Sequence, residues 1–200
     1  MAYPSRVRVE WDPEKDRANR IKHGLSFDEV RGLFEGNADY LVIYDEEHSD
    51  DEDRFLAVGS IAKGVVIVAH TEPSEAVILH HQRAHGHAGR ARAVLRTHRR
   101  SQAMKDEIRE LTATDFARAI PRRLRDRFAR GDFKSGEDIA ALRRFTGLSQ
   151  EAFARALGIS VHTLRNWEQG RRMPEGPALA LLRIAARHPG VLRENLALTG

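Results

Sequence analysis

Two hundred residues, 41% of them apolar, suit one large domain or two small ones, and the absence of cysteine excludes disulfides and thiolate metal sites. No apolar run approaches the roughly 18 residues of a membrane helix, and the N-terminus has no signal-peptide hydrophobic region, so a cytoplasmic protein without membrane partners is expected. The net charge of +4 hides an asymmetry: residues 1–78 hold 9 Lys/Arg against 17 Asp/Glu, residues 79–103 hold 6 Arg and no acid, and residues 104–200 hold 18 against 12, which points the basic part toward nucleic acid.

Val7-Arg-Val-Glu-Trp11 alternates as a half-buried strand does, and Asp12-Pro13 supplies an N-cap with proline at the first helical position. A helix is predicted to run to about His23, where Gly24 stops it. Ser26 with Glu29 forms a capping box for a second helix through Val30, Leu33 and Phe34. Short β-branched or aromatic runs follow at Tyr40–Tyr44, Arg54–Val58, Val65–Ala69 and Ala76–Ile78, predicting a small antiparallel meander. The fold class is α+β: a β-α-α-β-β-β domain, then an all-helical one.

General acid–base catalysis with charge stabilisation needs a base, a proton donor and a cation. Lys15, Asn19 and Lys22 share one helix face with His23 beside them, and Arg54 sits on a strand of the same domain; equally, such a face can be plain solvated surface. The acidic run Asp45–Asp53 lacks the glycine and terminal glutamate spacing of an EF-hand and reads as a solvated loop. Trp11-Asp-Pro-Glu-Lys15, Asn19, Lys22-His-Gly24, Ser26-Phe27, His48-Ser49, Glu52, Arg54-Phe55, Gly59 and His70-Thr71 together resemble the BrnT toxin family over roughly residues 6–78. That resemblance implies a RelE-like fold, ribonuclease action on cellular RNA with Lys22, His23 and Arg54 as catalytic candidates, and a cognate antitoxin chain, usually of ribbon-helix-helix type.

Residues 79–103 differ from both neighbours and hold half of the ten histidines within 79–100. His80, His81, His85 and His87 could take up a metal opportunistically, but no flanking carboxylates support a built site, and no cofactor is expected. A basic nucleic-acid-binding linker is a second reading. A third is a frameshift scar. The BrnT pattern asks for a closing strand reading about Ile-Arg-Ile-Ile-Ser-Ala-Arg and a basic helix, where this chain has Ile78-Leu-His-His-Gln-Arg-Ala-His85. One choice of synonymous codons for the start of that tract, ATC CTG CAT CAT CAG CGC GCG, turns into the family pattern when the T of the leucine codon is deleted. On that reading a strand at the sheet edge and a phosphate-binding arginine are lost, and ribonuclease activity is impaired. The shifted frame would also run into an overlapping gene whose start is Met104.

From Met104 a leader (104–134) reads as helices over Asp106–Leu111 and Thr114–Ile120, the latter capped by Asp115 or Thr114 and interrupted at Pro121. An arginine-rich amphipathic stretch through Leu124 and Phe128 then reaches Gly131. Residues 135–200 form a second domain. Gly136–Phe145 is a helix with Ile139, Leu142 and Phe145 inward. Ser149 caps a helix carrying Phe153, Ala154 and Leu157, Gly158 closes it, and Ser160 caps another in which Val161, Leu164 and Trp167 face inward. His162, Thr163, Arg165, Asn166 and Gln169 must then project elsewhere, as a helix laid in a major groove requires. Leu179–Ala186 forms a later helix ending at His188-Pro189, and Val191–Leu198 is a candidate dimer contact.

Arg143-x-x-x-Gly-Leu-Ser-Gln-x-x-Phe-Ala-x-x-Leu-Gly-Ile-Ser160, followed by Trp167-Glu-x-Gly-x-Arg-x-Pro174, resembles XRE (Cro-type) DNA-binding domains, and the tail from Pro177 resembles their MqsA-like and NadS-like antitoxin branch, which pairs with toxins. The resemblance implies a buried Arg143–Glu168 ion pair, Gln150 on the phosphate backbone, His162 and Asn166 at base edges, and Thr163, Arg165, Arg171 and Arg172 mostly on phosphates, with Ser160 at the start of the reading helix. The expected whole is a fused toxin–antitoxin chain, a homodimer that binds operator DNA and represses its own operon.

Overall fold

The computed structural model describes residues 8–36, 38–72, 76–85 and 108–198, so most of the basic joint and the first residues of the leader lie outside the described part. The chain divides into two compact units that do not follow chain order: Met1–Tyr40 with Leu56–Glu110, and Leu41–Phe55 with Leu111–Gly200. Among the described residues no helix is long and apolar enough to cross a membrane.

In the first unit strand β1 (Arg8–Trp11) leads into helix α1 (Pro13–His23), whose N-cap Asp12 accepts from the Glu14 amide at 2.7 Å and whose end is turned by Gly24 at φ 67°. Asp16 is buried because its Oδ1 accepts the Phe27 amide at 2.7 Å, tying α1 to the start of α2 (Phe27–Glu35). Both halves of the Ser26–Glu29 capping box form. The Glu29 carboxyl is held down at about 2, first by the Lys63 ammonium 2.5 Å away and then by the Ser26 amide. Phe27, Val30, Leu33 and Phe34 are buried, with the Phe34 ring edge-on to His70 at 5.1 Å.

Strands β3 (Arg54–Ile61), β4 (Gly64–Thr71) and β5 (Ala76–His85) complete this unit in the order β1-β5-β4-β3, β3 beginning just outside it. β1 runs parallel to β5 (Val9↔Val77), and β4 is antiparallel to it (Val65↔His85) with an irregularity between Ala69 and His70. Within this unit the element order is β-α-α-β-β-β, as expected. β5 corrects the expectation that strand structure is lost after Ile78: it continues through His85 and is not an edge, since β1 and β4 flank it. Pairing to β4 satisfies the backbone whatever the side chains, so tertiary context overrides the poor strand propensity of this tract.

The second unit begins with β2 (Leu41–Tyr44), which turns through a short 3-10 helix at Glu46–His48 and returns at Arg54, where the Asp45 amide donates to the Arg54 carbonyl at 2.9 Å. β2 pairs antiparallel with β6 (Ile120–Pro121), Val42 opposite Ile120. Helix α3 (Ala113–Arg118) is capped by Thr112 in a capping box with Asp115, rather than by Thr114 or Asp115. The helix expected over Asp106–Leu111 is absent across residues 108–111, and residues 106–107 lie outside the described part. α4 spans Arg122–Ala129, α5 Gly136–Thr146, α6 Gln150–Ala156, α7 Val161–Glu168, α8 Pro177–Arg187 and α9 Pro189–Leu198.

The core of this unit is aliphatic and aromatic. Ile139, Leu142, Phe145, Phe153, Leu164 and Leu182 are all but fully buried, each worth roughly 1.5–3 kcal/mol of transfer free energy. α5 starts hard against the end of α7. A Cβ at Gly136 would lie 2.3 Å from the Glu168 carbonyl oxygen and 2.5 Å from that of Trp167, both backbone atoms that cannot swing away. Gly136→Ala is therefore expected to cost about 1–3 kcal/mol, read as a lowered thermal midpoint.

Candidate nucleic-acid interface

The α6–turn–α7 geometry follows from local chemistry. Ser149 accepts the Ala152 amide at 3.1 Å and Ser160 accepts the Thr163 amide at 3.0 Å, so both helices start on hydroxyl caps. Gly158 between them has φ 67° and open space around its Cβ position, so glycine is needed there for its backbone conformation and not for room. On α7, Leu164 and Trp167 are buried, His162 and Arg165 are exposed, and Thr163 and Asn166 are half-buried. Arg171 and Arg172 follow, exposed, on the turn made by Gly170 at φ 69°, where the Arg171 amide donates to the Asn166 carbonyl at 2.9 Å. The outward residues expected from the sequence thus occupy one face and one turn.

Glu168 holds that face in place. Its carboxylate accepts from Arg143 Nε at 2.6 Å, from Arg143 Nη2 at 3.4 Å and from Gln150 Nε2 at 2.6 Å, joining α5, α6 and α7. Arg143 Nη1 also donates to the Leu148 carbonyl at 3.2 Å, bracing the loop before α6. The side chains are only 17% and 8% exposed, so the pair is largely withdrawn from water. Gln150 is accordingly engaged within the protein: its carbonyl oxygen accepts from Arg165 Nε at 3.2 Å, and Arg165 Nη2 reaches Glu151 at 3.3 Å. The Glu151 carboxyl is lowered chiefly by its own backbone amide, with Ser149 and Arg165 helping. The hydroxyl of Ser160 lies 2.9 Å from that of Thr163, at the mouth of the same face.

One fork was not foreseen in the sequence. Arg127 of α4 grips Asp138 of α5 through two bonds of 2.7 and 2.9 Å, and the Lys134 amide adds a third at 2.6 Å. Burial pushes the Asp138 carboxyl up, but the guanidinium and the amide outweigh it and the net shift is downward; Arg127 is raised by the same bond. The signal available was Ser135-x-x-Asp138 at the start of a helix, which names the cap and not the arginine.

The catalytic candidates are not gathered into one unit. Lys22, exposed, and His23, half-buried, lie in the last turn of α1 in the first unit. Arg54 belongs to the second, its side chain 8% exposed and its Nε 3.2 Å from the buried carboxylate of Asp45, on which His48 Nδ1 also rests at 3.1 Å. Among the described residues no group of three or more His, Asp or Glu could hold a metal ion.

Comparison with known proteins accounts for both parts. Residues 11–80 match the family described as ribonuclease toxin, BrnT, of type II toxin-antitoxin system, and residues 136–196 match the helix-turn-helix domain family. The chain is a BrnT-type toxin domain fused to a helix-turn-helix regulator domain. Antitoxin HigA-2 of Vibrio cholerae is 45% identical over 58 residues, 29% of this chain and 56% of that protein. The HTH-type transcriptional regulator YiaG of Escherichia coli is 37% identical over 57 residues, 28% of this chain and 59% of its own length. YazB of Bacillus subtilis, another HTH-type transcriptional regulator, is 40% identical over 62 residues, 31% of this chain and 86% of its own. The fusion therefore spans little more than half the length of the first two relatives.

Two variants probe the helix-turn-helix frame. Glu168→Gln strands the Arg143 charge in a largely dry site and is expected to cost on the order of 3 kcal/mol, measured by thermal unfolding; a shift of a degree or less would show the pair to be solvated. Asp138→Asn tests the lowered carboxyl. The advantage of the wild-type chain over this variant should be full well above the ordinary aspartate value of 3.8 and should disappear as pH falls through the lowered value, so the two stability curves converge in acid.

Proposed function

We propose that the helix-turn-helix domain binds operator DNA as a homodimer and represses its own operon, while the BrnT-type domain cleaves RNA weakly if at all. What carries the first part is the face of α7: His162, Thr163, Arg165 and Asn166 point away from a core closed by Leu164 and Trp167, and Arg171 and Arg172 extend the cationic surface beyond the helix end. In a major groove, His162 and Asn166 meet base edges. Arg165, Arg171, Arg172 and Thr163 meet phosphates, which set register without reading sequence. Ser160 serves as the cap of the reading helix. Gln150 reaches a phosphate only by leaving Glu168. A dimer matches an inverted repeat with half-sites about one helical turn apart.

Support for the second part is the state of Arg54. A guanidinium buried against a carboxylate is already neutralised, and turning it toward a phosphorane would break its ion pair with buried Asp45, on which His48 also rests. The altered tract after Ile78 adds to this. Although β5 persists, the arginine of the family's closing strand is missing, and the frameshift reading accounts for the change. An intact ribonuclease restrained in cis by the regulator half is the rival, and RNA is then a partner.

Footprinting on the protein's own promoter should show a protected palindrome. Asn166→Ala or His162→Ala should each cost about 1–3 kcal/mol of specific binding and relax specificity, whereas Arg171→Ala should weaken all sequences evenly and flatten the salt dependence. No protected palindrome would overturn the regulator reading. For the toxin part, incubation of the full chain with cellular RNA should leave it intact, and the nucleotide sequence over codons 76–104 should be compatible with the shifted peptide; codons incompatible with it end the frameshift explanation.

A further inference from the structure

Residues Leu41–Phe55 lie inside the stretch that matches the BrnT family, yet they form part of the helical unit. Three kinds of bond hold them there. The backbone of β2 pairs with β6. The Phe55 ring stacks on Phe145 of α5 at 6.3 Å, with planes 2° apart, and carries the Arg125 guanidinium on its face at 4.0 Å. Arg125 is itself fixed by the carbonyls of Ala186 at 3.0 Å and Arg187 at 3.3 Å, at the negative end of α8.

The third kind is electrostatic. The turn Asp45-Glu-Glu-His-Ser-Asp-Asp-Glu-Asp53 is acidic, and what meets it is basic. Glu46 lies 2.5 Å from Arg193 of α9 and 3.7 Å from Arg118 of α3. Asp53 Oδ1 accepts the Gly190 amide at 2.8 Å in the first turn of α9, with His188 3.6 Å from its other oxygen. A Cβ at Gly190 would fall 2.7 Å from that same Asp53 oxygen, so glycine is what lets the carboxylate approach. Tyr44 packs beside them, its phenol pushed up to about 12 by burial, partly offset by Ser49.

We propose that this face of the helical half is a docking surface for the β2–β3 hairpin of a BrnT-type toxin, filled here in cis by Leu41–Phe55, and that its occupancy supports DNA binding. Two contacts run directly into the DNA-binding frame. Phe55 stacks on α5, and Arg193, held by Glu46, donates to the Thr146 carbonyl at the end of α5 at 3.1 Å. α5 also carries Arg143, which orients α7 through Glu168. The hairpin thus braces the helix that braces the reading helix. The coupling to DNA, though not the docking, rests on the regulator reading above.

The test uses the full chain carrying Trp11→Phe, so that buried Trp167, the other of the two tryptophans, alone reports the helical unit. Asp53→Asn, Gly190→Ala, Glu46→Arg and Arg193→Glu should each lower the Trp167 unfolding midpoint by about 2–6 °C. Glu46→Arg combined with Arg193→Glu should recover a good part of the loss. Binding to a DNA fragment carrying the chain's own promoter should weaken several-fold in the single variants and recover in the combined one. An unchanged Trp167 midpoint in Asp53→Asn and Gly190→Ala, or no recovery in the combined variant, overturns the docking surface. Recovery of the midpoint on mixing the Glu46→Arg and Arg193→Glu single variants overturns docking in cis in favour of a second copy's hairpin. Should the midpoints shift as expected while no variant, nor the parent, binds DNA, the docking surface stands and the regulator reading falls.

Discussion

A single carboxylate, that of Glu168, gathers the DNA-binding frame. It sits at the end of α7 with donors from α5 and α6, so three helices share one charge that water scarcely reaches. A buried charge is tolerable only when its partners are in place, and this makes the arrangement intolerant of sliding or rotation. Hydrophobic burial of Phe153, Leu164 and Leu182 could be satisfied by several helix packings. The Glu168 bonds could not, and the outward face of α7 takes its orientation from them.

A second cation plays the corresponding part on the other side of α5. Arg125 faces the Phe55 ring, and its N–H groups are spent on carbonyls at the end of α8. Arg127, two residues on, reaches instead to Asp138 at the start of α5. Two arginines of the leader are therefore internal wiring, while Arg123, Arg130 and Lys134 are exposed. Of its cations, Arg125 is buried and Arg127 mostly so, which bears on how charge should be read: an excess of arginine near a DNA-binding fold does not all face nucleic acid.

The hairpin at Leu41–Phe55 changes what the fusion means physically. Its residues come from the toxin-type stretch, but its ring stack, its salt bridges and its strand pairing belong to the helical unit. Within the acidic turn, Glu46 and Asp53 meet basic groups of the helices.

Local order was legible in the sequence because it is decided within a few residues. Asp12-Pro13, the Ser26–Glu29 box, Ser149, Ser160 and Gly24 or Gly158 at helix ends each bond or bend only their own turn, and the period of Leu164 and Trp167 separates the inner from the outer face of α7. Where two local signals competed, the reading failed: Thr112 took the cap assigned to Thr114 or Asp115, and strand pairing carried β5 through residues whose propensities argued against it. The partners of Arg54, Arg125, Arg127 and Asp53 were decided by tertiary structure alone. Each meets a group far along the chain or one whose burial no periodicity reveals, and whether a cation faces a phosphate or a buried carboxylate depends on that burial.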